Sequence, residues 1–234
     1  MSIFSPVLLS LRVAAIATAI TLAVGLGLAR LLTNRRVPFL RFWETLILLP
    51  LVFPPTITGY LLLVFIGRHG PAGIALGWLG TPIVFTWAAA VIASVTVSIP
   101  LMYQSCKAAL LSVDPQYESA ARTLGVPEGR LFRRVTLPLA GPGILGGTAL
   151  SFARALGEFG ATLMVAGNIP GRTQTIPLAL FSAVEGGHAR EANILLAVTV
   201  GLSFALILVM RWAEKKSYSA RAGRGAAERG RSRP

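Results

Sequence analysis

Apolar residues run almost unbroken over Val13–Leu32, Thr45–Ile66, Ile83–Tyr103, Ile144–Ala166 and Asn193–Trp212. Each run is close to the roughly 20 residues that a helix needs to cross a hydrocarbon layer about 30 Å thick. The pattern predicts an all-α polytopic membrane protein with five transmembrane helices, because a single chain in lipid satisfies its backbone most simply as helix. A sixth run, Thr173–Val184, spans only 12 residues and carries Pro177. That length predicts a re-entrant or interfacial piece instead of a span. Residues 1–10 are expected as a short external segment. They lack a basic n-region, and span 1 is too long for a signal h-region, so no cleavable signal is expected.

Polar residues break this pattern most strongly in the middle of the chain, in "ESAARTLGVPEGRLFRRVTLP" (Glu118–Pro138). Asp114-Pro115 reads as a helix start, with Asp as N-cap and Pro at the first helical position. The helix is expected to continue through Glu118, Ser119, Ala120, Ala121 and Leu124 and to stop at Gly125, which tolerates a left-handed conformation. Val126-Pro127-Glu128 then restarts a helix in a new direction, with Leu131, Phe132 and Val135 at helical spacing. Pro138 is expected to end it before Gly141-Pro142-Gly143 leads into span 4. Two short helices at an angle, with small Ala120 and Ala121 on the first, have the shape of a docking knob. The plainer alternative is a cytoplasmic loop with two amphipathic turns.

Charge fixes the side on which this block lies. Seventeen of the 22 Lys and Arg follow span 1, lie between spans 3 and 4, or follow span 5. Arg12, Arg68, Arg172 and Arg190 fall on the opposite side, and Arg154 lies within span 4. The positive-inside rule therefore predicts an external N-terminus and a cytoplasmic C-terminus, as five spans also require. The net charge of +13 accordingly points to lipid and topology, and no nucleic acid is expected as a partner. Only 13% of residues are charged, about half the share of a soluble domain, and the mean hydropathy is +0.68. Residues 213–234, rich in Arg, Gly, Ala and Ser, are expected to form a disordered basic tail near anionic lipid.

Candidate chemistry inside the spans is sparse. Arg154 and Glu158 stand at i and i+4 in span 4 and are expected on one helical face. Ionisable groups in a membrane are costly, so they either neutralise each other as a structural pair or line a watery path. Pro50, Pro54, Pro55 and Gly59 interrupt the entry to span 2, which predicts either a broken helix beside a path or gate, or a packing kink. Cys106 is the sole cysteine, and His69 and His188 lack carboxylates at ligand spacing, so no metal site is expected. The chain has no GxxxxGK[ST] phosphate loop. It is not expected to be an enzyme by itself or to bind a cofactor. An intramembrane enzyme would need a nucleophile and base within the spans; a non-transport scaffold remains a rival class.

Ala120-Ala121, then Gly125, then Leu137-Pro138 with Pro138 thirteen residues after that glycine, resembles the coupling loop of bacterial ABC importer permeases. One position departs: the family's usual Glu falls on Ser119, and Glu118 stands one place earlier, about 100° round the helix. "LPLVFPPTITGYLLLVFIGRHG" (Leu49–Gly70) and "LSFARALGEFGATLMVAGNIPGRTQTIPLALF" (Leu150–Phe181) resemble the molybdate-importer permeases, with tungstate and sulfate permeases as close cousins. The resemblance covers about residues 11–212. It implies a type I ABC importer permease fold and a homodimer in the bacterial cytoplasmic (inner) membrane. Its implied partners are two copies of an ABC ATPase subunit, which carry ATP and Mg, and a periplasmic or extracellular molybdate-binding protein. It also implies that the loop at about 107–138, through Asp114, Glu118, Ser119, Ala120, Ala121, Gly125, Leu137 and Pro138, couples to the ATPase. Pro54, Pro55, Gly59, Arg154 and Glu158 are then candidates for the translocation path or gate.

Overall fold

A computed structural model of the chain describes residues 3–33, 37–77 and 83–209. The basic tail, the last residues of the expected fifth span, and Met1 and Ser2 lie outside the described residues. Among the described residues the regular structure is helical: α1 (Phe4–Leu32), α2 (Leu40–Val52), α3 (Pro55–Ile66), α4 (Pro71–Gly77), α5 (Trp87–Leu111), α6 (Pro115–Thr123), α7 (Glu128–Leu131), α8 (Leu137–Leu156), α9 (Gly160–Ala166) and α10 (Ile176–Glu185). A last helix, α11, covers Ala189–Val209.

Four helical stretches are long and apolar enough to cross a membrane: Phe4–Leu32, Trp87–Leu111, Glu128–Leu156 and Ala189–Val209. Leu40–Val52 and Pro55–Ala75, two helices that meet at 116°, make a fifth passage when the bent pair is taken as one broken span. Counted so, the described residues reach the expected number of spans, but three are built differently from the hydropathy reading. Span 2 breaks at Phe53-Pro54, where Pro54 opens α3 in extended backbone. Span 3 runs Trp87–Leu111, so Lys107, expected in the loop, lies within a helix. Span 4 begins far earlier than Ile144 and does not reach Ala166 as one helix; it stops at Leu156, and α9 starts afresh at Gly160. The external segment is also mostly helical, since α1 starts at Phe4.

Pro138 does not end its helix. Phe132–Thr136 form a π-helical turn in which the Leu137 N–H donates to the Phe132 carbonyl five residues back. A proline ring ordinarily collides with the carbonyl four residues earlier. A wide turn immediately before Pro138 moves that carbonyl aside, so the helix passes Pro138 and Pro142 and continues to Leu156. Pro177 likewise starts α10 instead of breaking it, sitting in the first turn where no N–H is needed.

The core is a three-helix layer. α1 and α5 run parallel: Val13 and Ala17 pack with Ala89–Val97, while Ala29 and Leu32 pack with Cys106 and Ala109. α8 runs antiparallel to α5, because a Cβ at Gly143 would meet Ala109 and one at Gly147 would stand 2.3 Å from the Ser105 Cβ. These glycines let the two backbones approach closely. α10 closes over the outer end of α1, with Ile176, Ala179 and Ala183 packed near Val7 and Leu195. The C-terminal ends of α1 and α5 share one face with α6 and α7. Arg30, Lys107, Arg122, Arg130, Arg133 and Arg134 therefore gather at that face, which the positive-inside rule places in the cytoplasm.

Candidate functional site

The cytoplasmic knob is assembled from local signals. Asp114 caps α6, its Oδ1 accepting the Gln116 N–H at 2.9 Å, with Pro115 in the first turn. At the other end Gly125 adopts φ +72°. Its N–H donates to the Arg122 carbonyl at 2.9 Å, and the Val126 N–H donates to Ala121 at 3.1 Å. That pair of bonds is a Schellman closure, which needs a left-handed residue at the Gly125 position. Nothing lies within 4 Å of where a Gly125 Cβ would be, so conformation alone demands glycine there. Pro127 then starts α7 in extended backbone, turning the chain.

The knob shows different faces to solvent and to its own protein. Tyr117 and Leu124 are 58% and 82% exposed, and Ala120 lies between them on the same face. Three apolar positions at helical spacing, open to water on the cytoplasmic side, form an exposed apolar stripe. Ala121 is buried, so only one of the two small residues is presented outward. Ser119 is exposed. Glu118 turns inward: its Oε1 accepts from the Thr136 hydroxyl at 2.8 Å and its Oε2 from Arg122 at 3.2 Å. Arg122 Nε also donates to Glu128 at 2.7 Å. The Arg122 hydrogen bond holds the Glu128 carboxyl below its ordinary range, and the Glu128 partner raises the Arg122 guanidinium. Leu137 is half-buried beside the inner core cluster, and Pro138 is exposed just past the π turn.

A second constellation lies where the two broken passages cross. A Cβ on Gly160 would stand 2.9 Å from the Pro55 Cβ, and one on Gly59 would stand 2.7 Å from the Ala161 Cα. α3 and α9 therefore begin side by side and run together. Gly59 is buried in that contact and needs its missing side chain for helix approach. Arg154 Nη1 donates to Glu158 Oε2 at 2.6 Å, and Glu158 Oε1 accepts the Ala161 N–H at 2.9 Å. Glu158 is 2% exposed. The pair is not on one continuous helical face: Arg154 ends α8, Glu158 follows Gly157, and the contact bridges the break. Glu158 thus satisfies both a cation and a free N–H at the start of α9. Pro54, Pro55, Gly59, Arg154 and Glu158, two groups from distant stretches, meet at one junction.

Three participants carried little sequence signal. Gly160 is one glycine among 24. Glu44, just ahead of the expected second span, accepts hydrogen bonds from Lys107 and from the Tyr103 hydroxyl, tying α2 to α5. Thr136 is an ordinary helix residue by composition. A Glu just ahead of one apolar run, with a Lys just past the end of the next, was the one available hint for the α2–α5 tie.

The family described as the inner membrane component of binding-protein-dependent transport systems matches residues 9–216. The chain belongs to this family. It is a multi-pass inner-membrane permease component, and its relatives cover nearly its full length. The chain is 42% identical over 221 residues to the molybdenum transport system permease protein ModB of Escherichia coli (strain K12), covering 93% of this chain and 96% of that one. It is 42% identical over 194 residues to ModB of Mycobacterium tuberculosis, covering 82% and 74%. The sulfate transport system permease protein CysT of Salmonella typhimurium is 33% identical over 183 residues, covering 78% and 66%. Among solved structures, the inward-facing MetNI methionine ABC transporter superposes with a TM-score of 0.71 at 16% identity, covering 91% and 94%. A bacterial alginate ABC transporter gives 0.68 at 15%, covering 92% and 79%. The fold is that of the type I ABC importer permeases.

Proposed function

We propose that the chain is the membrane-spanning subunit of an ATP-driven importer that moves molybdate into the cytoplasm. The observation that carries this is the match at 42% identity to molybdenum permeases over nearly the whole of both chains. The sulfate permease is more distant at 33%. The knob supports the same reading: its exposed Tyr117–Ala120–Leu124 stripe is shaped to enter a cleft of a separate ATPase subunit. Two permease copies, two such subunits carrying ATP and Mg, and an external binding protein complete the assembly.

ATP binding draws the two ATPase subunits together and carries both knobs with them. The passages rock outward, accept the anion and, after hydrolysis, return to release it inside. Such a cycle needs two packed arrangements that the nucleotide binds with different affinity. The anion passes the junction of α3 and α9. Arg154 is already neutralised by Glu158 there, so it offers a passing oxyanion a weak hold and not a trap. Selection then falls to the external binding protein.

The test is accumulation of molybdate, tungstate and sulfate at nanomolar external anion, in cells with and without this chain. Loss of molybdate uptake, alone or with tungstate, is expected. Loss of sulfate uptake only, or of none, contradicts the proposal.

A further inference from the structure

The knob is separated from the end of α1 by a cavity of about 650 Å³, bordered by Arg30, Glu118, Arg122, Glu128, Phe132 and Thr136. Leu110 and Leu131 also line it, and Ala121 is buried at the back of the stripe, so polar and apolar side chains share that side. A push on α6 reaches the membrane through its side-chain ties to neighbouring elements or along the backbone. The side-chain bond from Glu118 to Thr136 lies in the wall of that cavity and ties α6 directly to the base of α8, joining residues 18 positions apart at 2.8 Å.

Thr136 behaves unlike most of the helical threonines. Thr18, Thr21, Thr96, Thr148 and Thr199 each return their hydroxyl to the carbonyl four residues back. Thr136 instead donates to Glu118, at a point where the π turn has already given the Phe132 carbonyl to Leu137. The same turn is held from the other side, because the Arg30 guanidinium lies 4.0 Å from the centre of the Phe132 ring. Glu118 also gathers Arg122, which reaches Glu128 on α7. Arg122 thus joins the two limbs of the knob through Glu118 and Glu128, and the Glu118 carboxylate is fastened to the widened turn from which α8 rises.

We infer that Glu118 and Thr136 are the positioning residues that brace the knob against α8, so that movement of α6 enters the span at the π turn instead of being lost in the loop. Glu118 acts through Thr136 and not by touching the ATPase; Ser119, on the exposed side, leaves that surface free. The inference rests on the ATPase-coupling reading above. A bond to an ionised carboxylate at a buried hydroxyl is strong enough to shift a local opening equilibrium about tenfold or more.

The experiment uses the full chain assembled with its ATPase subunit and binding protein in lipid, with Glu118→Gln, Thr136→Val, Thr136→Ser and the double variant Glu118→Gln/Thr136→Val. Two quantities are read: anion imported per ATP hydrolysed, and hydrogen exchange of the α6 amides in the permease chain without its partners. Thr136→Val is expected to retain ATPase assembly and hydrolysis, to lower import per ATP about tenfold, and to speed α6 exchange about tenfold. Thr136→Ser, which keeps the hydroxyl, should restore both. The double variant should be no worse than either single one. Wild-type import per ATP in Thr136→Val, or unchanged α6 exchange, overturns the brace. A wild-type chain that associates with no ATPase would defeat the coupling reading, while α6 exchange would still decide whether the brace exists.

Discussion

Two ion-pair networks sit at opposite ends of α8, and they are built to different specifications. At the cytoplasmic end Arg122 and Glu128 are open to water, Glu118 is half-buried, and Arg122 is shared between the two carboxylates. At the other end Arg154 and Glu158 form a single pair, with Glu158 almost wholly buried and its second oxygen spent on the Ala161 N–H. An exposed pair contributes little to stability, because water already solvates both partners. A buried pair is costly to form but far costlier to break from one side. The contrast assigns the two networks different jobs. The junction holds the broken helices together, whereas the knob network, on the coupling function proposed above, orients a part that moves.

The largest effect is therefore expected at the junction. Glu158→Ala leaves Arg154 beside a broken helix without its partner and frees the Ala161 N–H, which should cost about 3–5 kcal/mol. Thermal unfolding of the purified chain in detergent should show it as a much lower midpoint, or as loss of folded protein. An unchanged midpoint would mean that the pair is dispensable and that the two ends of α8 do not differ as argued.

Next comes Gly59→Ala. Its new methyl would meet the α9 backbone at 2.7 Å, a contact that cannot relax by turning a side chain. Overpacking of this kind costs about 1–3 kcal/mol, again read as a lowered unfolding midpoint. Gly125→Val comes third. The site is spacious but left-handed, so the cost is backbone strain of about 1–2 kcal/mol. Because that strain falls on the knob, import and ATP hydrolysis should uncouple while the membrane helices unfold as in the wild type. Gly125→Asn, which tolerates a left-handed backbone, should be milder.

The smallest effect is one of pH. Glu128 has its carboxyl depressed by Arg122, so the folded knob binds that proton less readily than the unfolded chain. Its contribution is present at neutral pH and is lost as pH falls through the depressed folded value. Exchange of the α7 amides should accelerate only in acid below the ordinary Glu range, and Glu128→Gln should remove that step.

Much of this arrangement was legible in the sequence. Hydropathy located the spans without their exact bounds, Asp114-Pro115 and Gly125 marked the ends of α6, and Pro54-Pro55 pointed to a broken passage or a kink, whereas α2 runs straight through Pro50. The missed features share a cause: they arise where two segments meet. The apolar run from Ile144 to Ala166 reads as one span by its length, although Arg154, Gly157, Glu158 and Gly160 interrupt it where the helix breaks at Gly157–Phe159. Pro138 reads as a stop until the π turn before it is seen. Glu118, a surface residue by residue type, turns inward only because Thr136 is folded back to meet it. The candidate path residues were found separately, but nothing in their spacing placed Pro55 against Gly160.

The central claim is that an outside motor engages the exposed stripe of α6. The most direct measurement is ATP-driven molybdate uptake by proteoliposomes holding the complete importer, wild type against Leu124→Asp. Leu124 is 82% exposed, so the substitution should leave the unfolding midpoint of the permease unchanged. Placing a charge in a desolvated cleft should lower ATPase association and uptake about tenfold or more. Full uptake and full ATPase association in Leu124→Asp would contradict the account.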